Sequence, residues 1–379
     1  MTYRAEKAFF NIMAVPGAKF DYQDRAQSSI EIKKWRKMAS HAEFGETTTA
    51  TEVAKAFSEQ IIGKTILVVG VSPLSLGEHI ALSISHHAPS HLLLASRTLS
   101  KINTVIDKIR TQHPSLKVTP IQIDLSSQIS IRSAAKEILS LAPKIDILIN
   151  NAAVNVPNHE ETPEAIEMHF GTNHIGLFLL TNLLLPSLIA PTTSKHEGTR
   201  IVNLTSAGHR LSPVRFSDWN FKKSTEEIPV DERPPEGLPP NLMPSGGETY
   251  NGFLAYGQSK TANVLFSGSL NRALADRGVR SYAVHPGSIW TGLARNLDEE
   301  GQELIKKTGK FWKSGDQGAS GALVAAFDPA LNDVPEKGYY MADCQVAEPA
   351  PYAIDVCMAE RLWTLSEELV GEKFDLKSL

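Results

Sequence analysis

From Lys64 onward, apolar runs of five to seven residues alternate with helix-length amphipathic segments, and no other feature restricts the fold of this chain as strongly. A parallel strand buried on both faces reads as an unbroken apolar run, and returning to the next parallel strand requires a crossover, usually a helix. The runs Thr65–Val69, His91–Ser96, Val118–Ile123, Ile145–Ile149, Arg200–Thr205, Val279–His285 and Gly338–Met341 are therefore expected to be strands. Helices are expected near 77–87, 98–112, 128–141, 163–189, 257–277, 317–327 and 357–369, with Gly278 as a C-terminal stop. The expected class is α/β: one doubly wound domain with a seven-stranded parallel sheet and helices on both faces. There is no internal repeat.

Hydrophobic residues at 42% and charged residues at 21% allow a large core and exclude fibrous and disordered classes. Thirty-eight basic against 42 acidic residues give −4 with no long basic run, so nucleic-acid binding is not expected. The longest apolar run, Ile175–Pro191, is short for a bilayer and carries Asn182 and Pro186, so no membrane span is expected. Ala8–Val15 contains Asn11 and ends at Pro16 without a cleavage signal, which argues against secretion. Two cysteines, Cys344 and Cys357, do not make a disulfide scaffold, and a reducing, cytoplasmic location is expected.

Residues 1–60 lack strand-like runs and read as an N-terminal extension, with Ile30–Met38 as a short basic helix. The main domain is expected over 61–372, followed by a tail, 373–379. Six of the 22 prolines fall in Pro229–Pro244, inside an aperiodic insertion, 212–254. Long structureless loops in compact domains are usually lids, binding loops or disorder, and a substrate lid is expected here.

The first strand runs into Gly70-Val-Ser-Pro-Leu-Ser-Leu-Gly77 and then a helix, the position at which a doubly wound sheet holds a dinucleotide pyrophosphate. Gly70, Ser72, Leu76 and Gly77 are the candidates there, although an ordinary strand-to-helix turn reads the same way. The second strand ends in Ala95-Ser96-Arg97, without the acid that would hold a ribose 2′-hydroxyl. Arg97, with Lys101 one turn on, suits a 2′-phosphate and hence NADP(H), the alternative being a solvated arginine. Asp124 and Leu125 close the third strand beside the expected adenine, and Asp124 serves equally well as a helix N-cap. Asn150-Asn151-Ala152-Ala153 closes the fourth. His79, His86, His87 and His91 lack ligand spacing, and no metal is expected.

Tyr-x-x-x-Lys occurs twice, at Tyr3/Lys7 and Tyr256/Lys260. Only the second follows a strand ending in Thr205-Ser206 and opens a helix, where positions i and i+4 share a face. A free phenol has a pKa near 10. A neighbouring ammonium makes it a better proton-transfer group. A buried Tyr with a snorkelling Lys is the structural alternative.

Gly70…Gly77, Asn150-Asn151-Ala152, Asn173, Ser206, Tyr256-Gly-Gln-Ser-Lys260 and Pro286-Gly287 occur in an order that resembles the short-chain dehydrogenase/reductase family. Phe44-Gly45, Thr47-Thr48-Thr49, Thr172–Gly176, Ala255–Phe266, Ala283–Gly287 and Trp363–Glu368 resemble its retinol-dehydrogenase and WW-domain-oxidoreductase branch, without a WW domain. Gly70-Val-Ser-Pro and the proline-rich insertion resemble fungal members, which often serve secondary metabolism. The similarity spans about residues 44–372.

The resemblance implies a Rossmann fold and an NADP(H)-dependent interconversion of a small-molecule carbonyl and alcohol. It implies Tyr256 as general acid, Ser206 as the carbonyl's hydrogen-bond partner, Lys260 as partner of both phenol and nicotinamide ribose, and Asn173 as holder of a relay water. Asn151 and Ala152 would flank the cofactor, and Pro286, Gly287, Ile289 and Thr291 would bracket the nicotinamide. A homodimer through helices 163–189 and 257–277 is implied, with Phe178, Leu179, Leu183, Leu184 and Leu265 as apolar material.

Two departures stand out: Ser75 replaces a glycine, where a side chain could crowd the pyrophosphate, and Ala153 replaces another. They motivate an alternative, a catalytically weak NADP-binding regulatory protein. A methyltransferase on the same sheet leaves Tyr256 and Lys260 unexplained.

Overall fold

The apolar runs do become strands: β1 (Thr65–Val69), β2 (His91–Ser96), β3 (Val118–Gln122), β4 (Ile147–Asn150), β5 (Thr199–Leu204) and β6 (Val279–His285). The computed structural model describes residues 39–189, 198–244, 248–289, 303, 311–333 and 338–376. Tyr3/Lys7, the basic segment Ile30–Met38 and Thr291 lie outside the described residues. A two-strand ribbon pairs β7 (Ser288–Ile289) with β8 (Trp312–Lys313), and β9 (Tyr340–Ala342) and β10 (Gln345–Val346) complete the main sheet.

The sheet has the order β10-β9-β6-β5-β4-β1-β2-β3. It has eight strands and not seven, because β10 runs antiparallel to β9. Asp343 and Cys344, both at positive φ, make the two-residue turn between them. A two-residue strand is too short to show a period of its own, which is why it escapes the pattern.

Alternate residues of one strand serve opposite cores, as the two-residue strand period requires. Ile66 and Val68 of β1 face a layer built from α1 (Ala50–Ala56), α2 (Leu76–Ser85), α3 (Leu99–Gln112) and α7 (Gly315–Phe327). Leu67 and Val69 face α4 (Gln128–Leu141), α5 (Gly176–Leu183), α6 (Gly252–Leu274) and α8 (Val356–Val370). Residues 50–61, read as extension from sequence, belong to the first core: Val53, Ala54, Phe57 and Ile61 are buried. A capping box between Thr49 and Glu52 starts α1.

The region expected as one helix over 163–189 is composite. Ala165, at φ 59, lies in a turn; a short helical turn, Met168–Phe170, and a π-helical turn, Gly171–Ile175, then precede α5. α6 begins at Gly252, earlier than expected, because the Asn251 side chain accepts hydrogen bonds from the amides of Phe253 and Leu254. Gly278, at φ 76, ends the following 3-10 turn.

Of the side chains expected to supply a dimer face, Leu183 is half-buried. Phe178, Leu179, Leu184 and Leu265 are buried. Trp363 of α8 lies 5.0 Å from the Phe178 ring and 6.0 Å from Phe266, with Phe374 beside Phe178 at 5.8 Å.

The 212–254 segment carries three short 3-10 turns and its own cluster of Phe221, Leu242 and Leu254 with Leu211 and Ala255. Arg215 is buried, ion-paired with Asp218 and stacked 4.3 Å over Phe221. Buried Glu232 accepts from the amide and hydroxyl of Ser217 at 2.8 and 2.6 Å and from Arg361 of α8 at 2.8 Å. Phe216 lies under the Arg361 guanidinium, and Trp219 stacks on Phe170. The aromatic residues of the insertion are thus engaged in packing.

Candidate active site

In this sheet order β1 stands between β2 and β4, and the crevice at its C-terminal end is the switch point where doubly wound folds bind ligands. A cleft of about 220 Å³ opens there, lined by Gly70, Ser72, Leu76, Arg97, Leu125, Asn151 and Ala152 among the expected cofactor residues. Gly77, Lys101, Asp124, Tyr256, Lys260, Pro286, Gly287 and Ile289 do not line it.

The glycines have separable reasons. Gly70 adopts φ +97, and a Cβ on it would lie 2.6 Å from the Ala152 backbone. A Cβ on Gly77 would lie 2.3 Å from the Gly70 carbonyl oxygen, to whose residue Asn151 also donates, 2.8 Å away. Ser75, which stands where the family pattern has a glycine, lines the cleft. Its hydroxyl accepts from the amides of Ser72 and Glu78 at 3.1 and 3.2 Å and donates to the Ser72 carbonyl at 2.7 Å, capping α2.

The amides of Leu76 and Gly77 have no acceptor among the described residues, leaving two donors at the start of a ten-residue helix. The Arg97 side chain is exposed there and has no partner among the described residues. Asn155, which also lines the cleft, has a buried side-chain oxygen without a donor among the described residues. These groups fit a phosphate-bearing dinucleotide. Asp124 is a local cap, accepting from the amide and hydroxyl of Ser126 at 3.0 and 2.7 Å, while Ser127 caps α4.

Ser206, Tyr256 and Lys260 meet at the ends of β5 and α6. Burial pushes the Tyr256 phenol up to about 12, and the neighbouring Ser206 hydroxyl draws it only partly back. Lys260 Nζ is 5.5 Å from the centre of the Tyr256 ring and donates to the Leu204 carbonyl at 3.1 Å. Burial lowers its pKa to about 7. The insertion leaves and returns at one place, as expected from the separation of Ser206 and Tyr256. Thr261 Oγ1 donates to the carbonyls of His209 and Ser212 at 2.9 and 2.7 Å, and a Cβ on Gly257 would meet the Gly208 carbonyl oxygen at 2.7 Å.

Asn173 sits inside the π-helical turn. Its side chain accepts from the Val154 amide at 2.7 Å and donates to the Val154 carbonyl and to Ser259 Oγ at 3.0 and 3.1 Å. The side chain thus joins the loop after β4 to α6. Gly287 adopts φ +91 against Lys313, which pairs with Asp343 at 2.6 Å; Pro286 precedes it. Ile289 reaches Gly318 beside Leu76, so the β7 end approaches the phosphate turn.

Sequence reasoning missed His209. Its Nε2 accepts from the Ala350 amide at 3.0 Å, so Nδ1 carries the proton donated to the Ser206 carbonyl at 2.7 Å. Burial lowers its pKa to about 3. A lone histidine between Gly208 and Arg210 carries no signal of such a role.

Residues 64–217 match the family model for short chain dehydrogenase. Retinol dehydrogenase 13 of Homo sapiens is 35% identical over 316 residues, covering 82% of this chain and 86% of the relative. Oxidoreductase fscI of Fusarium equiseti is 34% identical over 248 residues, 65% of this chain and 95% of that protein. A crystal structure of an uncharacterized protein from Mycobacterium paratuberculosis superposes with a TM-score of 0.59 at 25% identity, covering 83% and 96% of the two chains. The chain is an oxidoreductase of the short-chain dehydrogenase/reductase family. Among the described residues no helix is long and apolar enough to cross a membrane.

Proposed function

We propose that this chain interconverts a ketone or aldehyde with its alcohol, using NADP(H), with Tyr256 as general acid and base. The observation that carries the reading is the meeting of half-buried Ser206 and Tyr256 with buried Lys260. NADPH supplies the hydride when bound. Leu76 and Gly77 amides would hold its pyrophosphate, Arg97 its 2′-phosphate, and Asn155 a donor of the bound group. Thr291 belongs to the same proposal by resemblance alone.

In reduction, Ser206 orients the carbonyl oxygen and Tyr256 gives it a proton. A phenol near 12 keeps its proton at neutral pH, so it starts as the acid that reduction needs. Lys260, protonated below about 7 in the folded chain, favours the phenolate left behind. Oxidation needs the phenolate, and its rate should rise with pH. The two free cysteines, Cys344 and Cys357, suit a reducing compartment such as the cytoplasm.

Titration with NADPH followed by a panel of ketones and aldehydes tests the reading. Tyr256→Phe should lower kcat about 10²–10⁴-fold and leave NADPH binding intact. Wild-type turnover by that variant would refute the assignment.

A further inference from the structure

Beside the phenol lies a buried polar group that the chemistry above does not use. Glu167 and His169 are both fully buried and paired through Nδ1 and Oε1 at 2.7 Å. His169 Nε2 accepts from the Val156 amide at 3.0 Å, so the imidazole donates from Nδ1 and both ring nitrogens are fixed. The ring stands edge-on to Tyr256, with centroids 5.9 Å apart and an interplanar angle of 80°.

Glu167 is also where the two limbs of the insertion meet. From the outgoing limb, Asn220 accepts from the Glu167 amide at 2.7 Å and donates to the Ala165 carbonyl at 2.9 Å. From the returning limb, Tyr250 Oη donates to Glu167 Oε1 at 3.0 Å. The carboxylate is completed by the Phe170 amide at 2.8 Å. Burial alone would raise its pKa, but His169 and the backbone amides of Phe170 and His169 hold it below the usual carboxylate value.

A buried charged network of this kind is a costly way to fill a core, and leaving one member unpaired is costlier. Its members are not spread through the fold: they join both ends of one insertion to one face of one phenol. We propose that Glu167 and His169 are positioning residues for Tyr256, setting the insertion and the phenol in register so that a carbonyl held at Ser206 meets the Tyr256 proton. The inference rests on the reductase reading of Tyr256.

The test uses the full chain with NADPH and a carbonyl substrate. His169→Ala should lower kcat by about tenfold to a hundredfold, the scale of a misplaced reacting group, with NADPH affinity unchanged. His169→Gln, able to donate to Glu167 and accept from Val156, should recover most of the loss. Tyr250→Phe removes only the tie to the returning limb and should raise the carbonyl KM more than it lowers kcat.

Hydrogen exchange without substrate gives an independent reading: Tyr250→Phe and His169→Gln should both keep the fold, and Tyr250→Phe should speed exchange in 216–223 and 248–256. Unchanged kcat in His169→Ala, equal loss of kcat and NADPH affinity, or unchanged exchange in Tyr250→Phe would overturn the proposal. A wild-type chain that binds NADPH but reduces no carbonyl would overturn the reductase reading, and the exchange result would then decide the register on its own.

Discussion

Lys260 carries a cost that can be measured apart from activity. Unfolded, its amine holds a proton up to about 10.5; folded, burial limits it to about 7. Between those values the unfolded chain binds the extra proton, so this residue makes stability rise with pH through that window. Lys260→Met should therefore abolish turnover yet raise the melting temperature, by more at about pH 6 than at about pH 9. The Leu204 carbonyl keeps a donor in Asn263, 3.2 Å away, so the substitution leaves no orphan there. A melting temperature equally shifted at both values would refute the argument. Arg97 is the other residue whose worth can be read separately. A charge-assisted contact to phosphate contributes about 1.5–3 kcal/mol, so Arg97→Ala should weaken NADPH about tenfold to a hundredfold and leave NADH nearly unaffected. The ratio of kcat/KM for the two cofactors, before and after, is the measurement.

The helices and strands differ in how openly the sequence declares them. β1, β2 and β6 have the expected bounds because each is an apolar run closed by a turn or cap. The π-helical turn around Asn173 was not readable, since it depends on the Val154 backbone, which approaches only in the folded chain. The seven residues of α1 give too little periodicity to declare a helix, although Thr49 and Glu52 mark its start. The Ser206, Tyr256 and Lys260 group was readable from order, whereas Glu167, His169 and Tyr250 were not, since each alone is an ordinary core polar residue. The phosphate turn offers a sharp comparison between neighbours. Ser75→Ala removes the cap of α2 and should cost about 1 kcal/mol in urea unfolding, with little change in NADPH affinity. Gly77→Ala forces a Cβ against the Gly70 carbonyl and should lose cofactor binding far more severely. Equal effects of the two would mean that the turn is held by something other than this contact.

At the scale of the whole molecule, α8 closes the face that helices 163–189 and 257–277 were expected to lend to a second copy. Trp363 fills the space beside Phe178 and Phe266, and Arg361 on the same helix reaches Glu232 in the insertion. Sedimentation at micromolar concentration should accordingly show a monomer. A chain ending at Asp355 should instead self-associate and lose the insertion's protection from protease. A truncated chain that stays monomeric would show that α8 covers nothing of consequence.

The position of α8 along the chain also bears on synthesis. Every strand of the sheet is translated before Val356, so a growing chain completes its sheet while Phe178, Phe266 and buried Glu232 still lack their cover. Domains fold as they are made, and uncovered apolar surface during that interval invites aggregation. Yield of folded protein in the cell should therefore be more sensitive to substitutions at Trp363 and Arg361 than the stability of the finished molecule is, since those two side chains end the nascent chain's exposure.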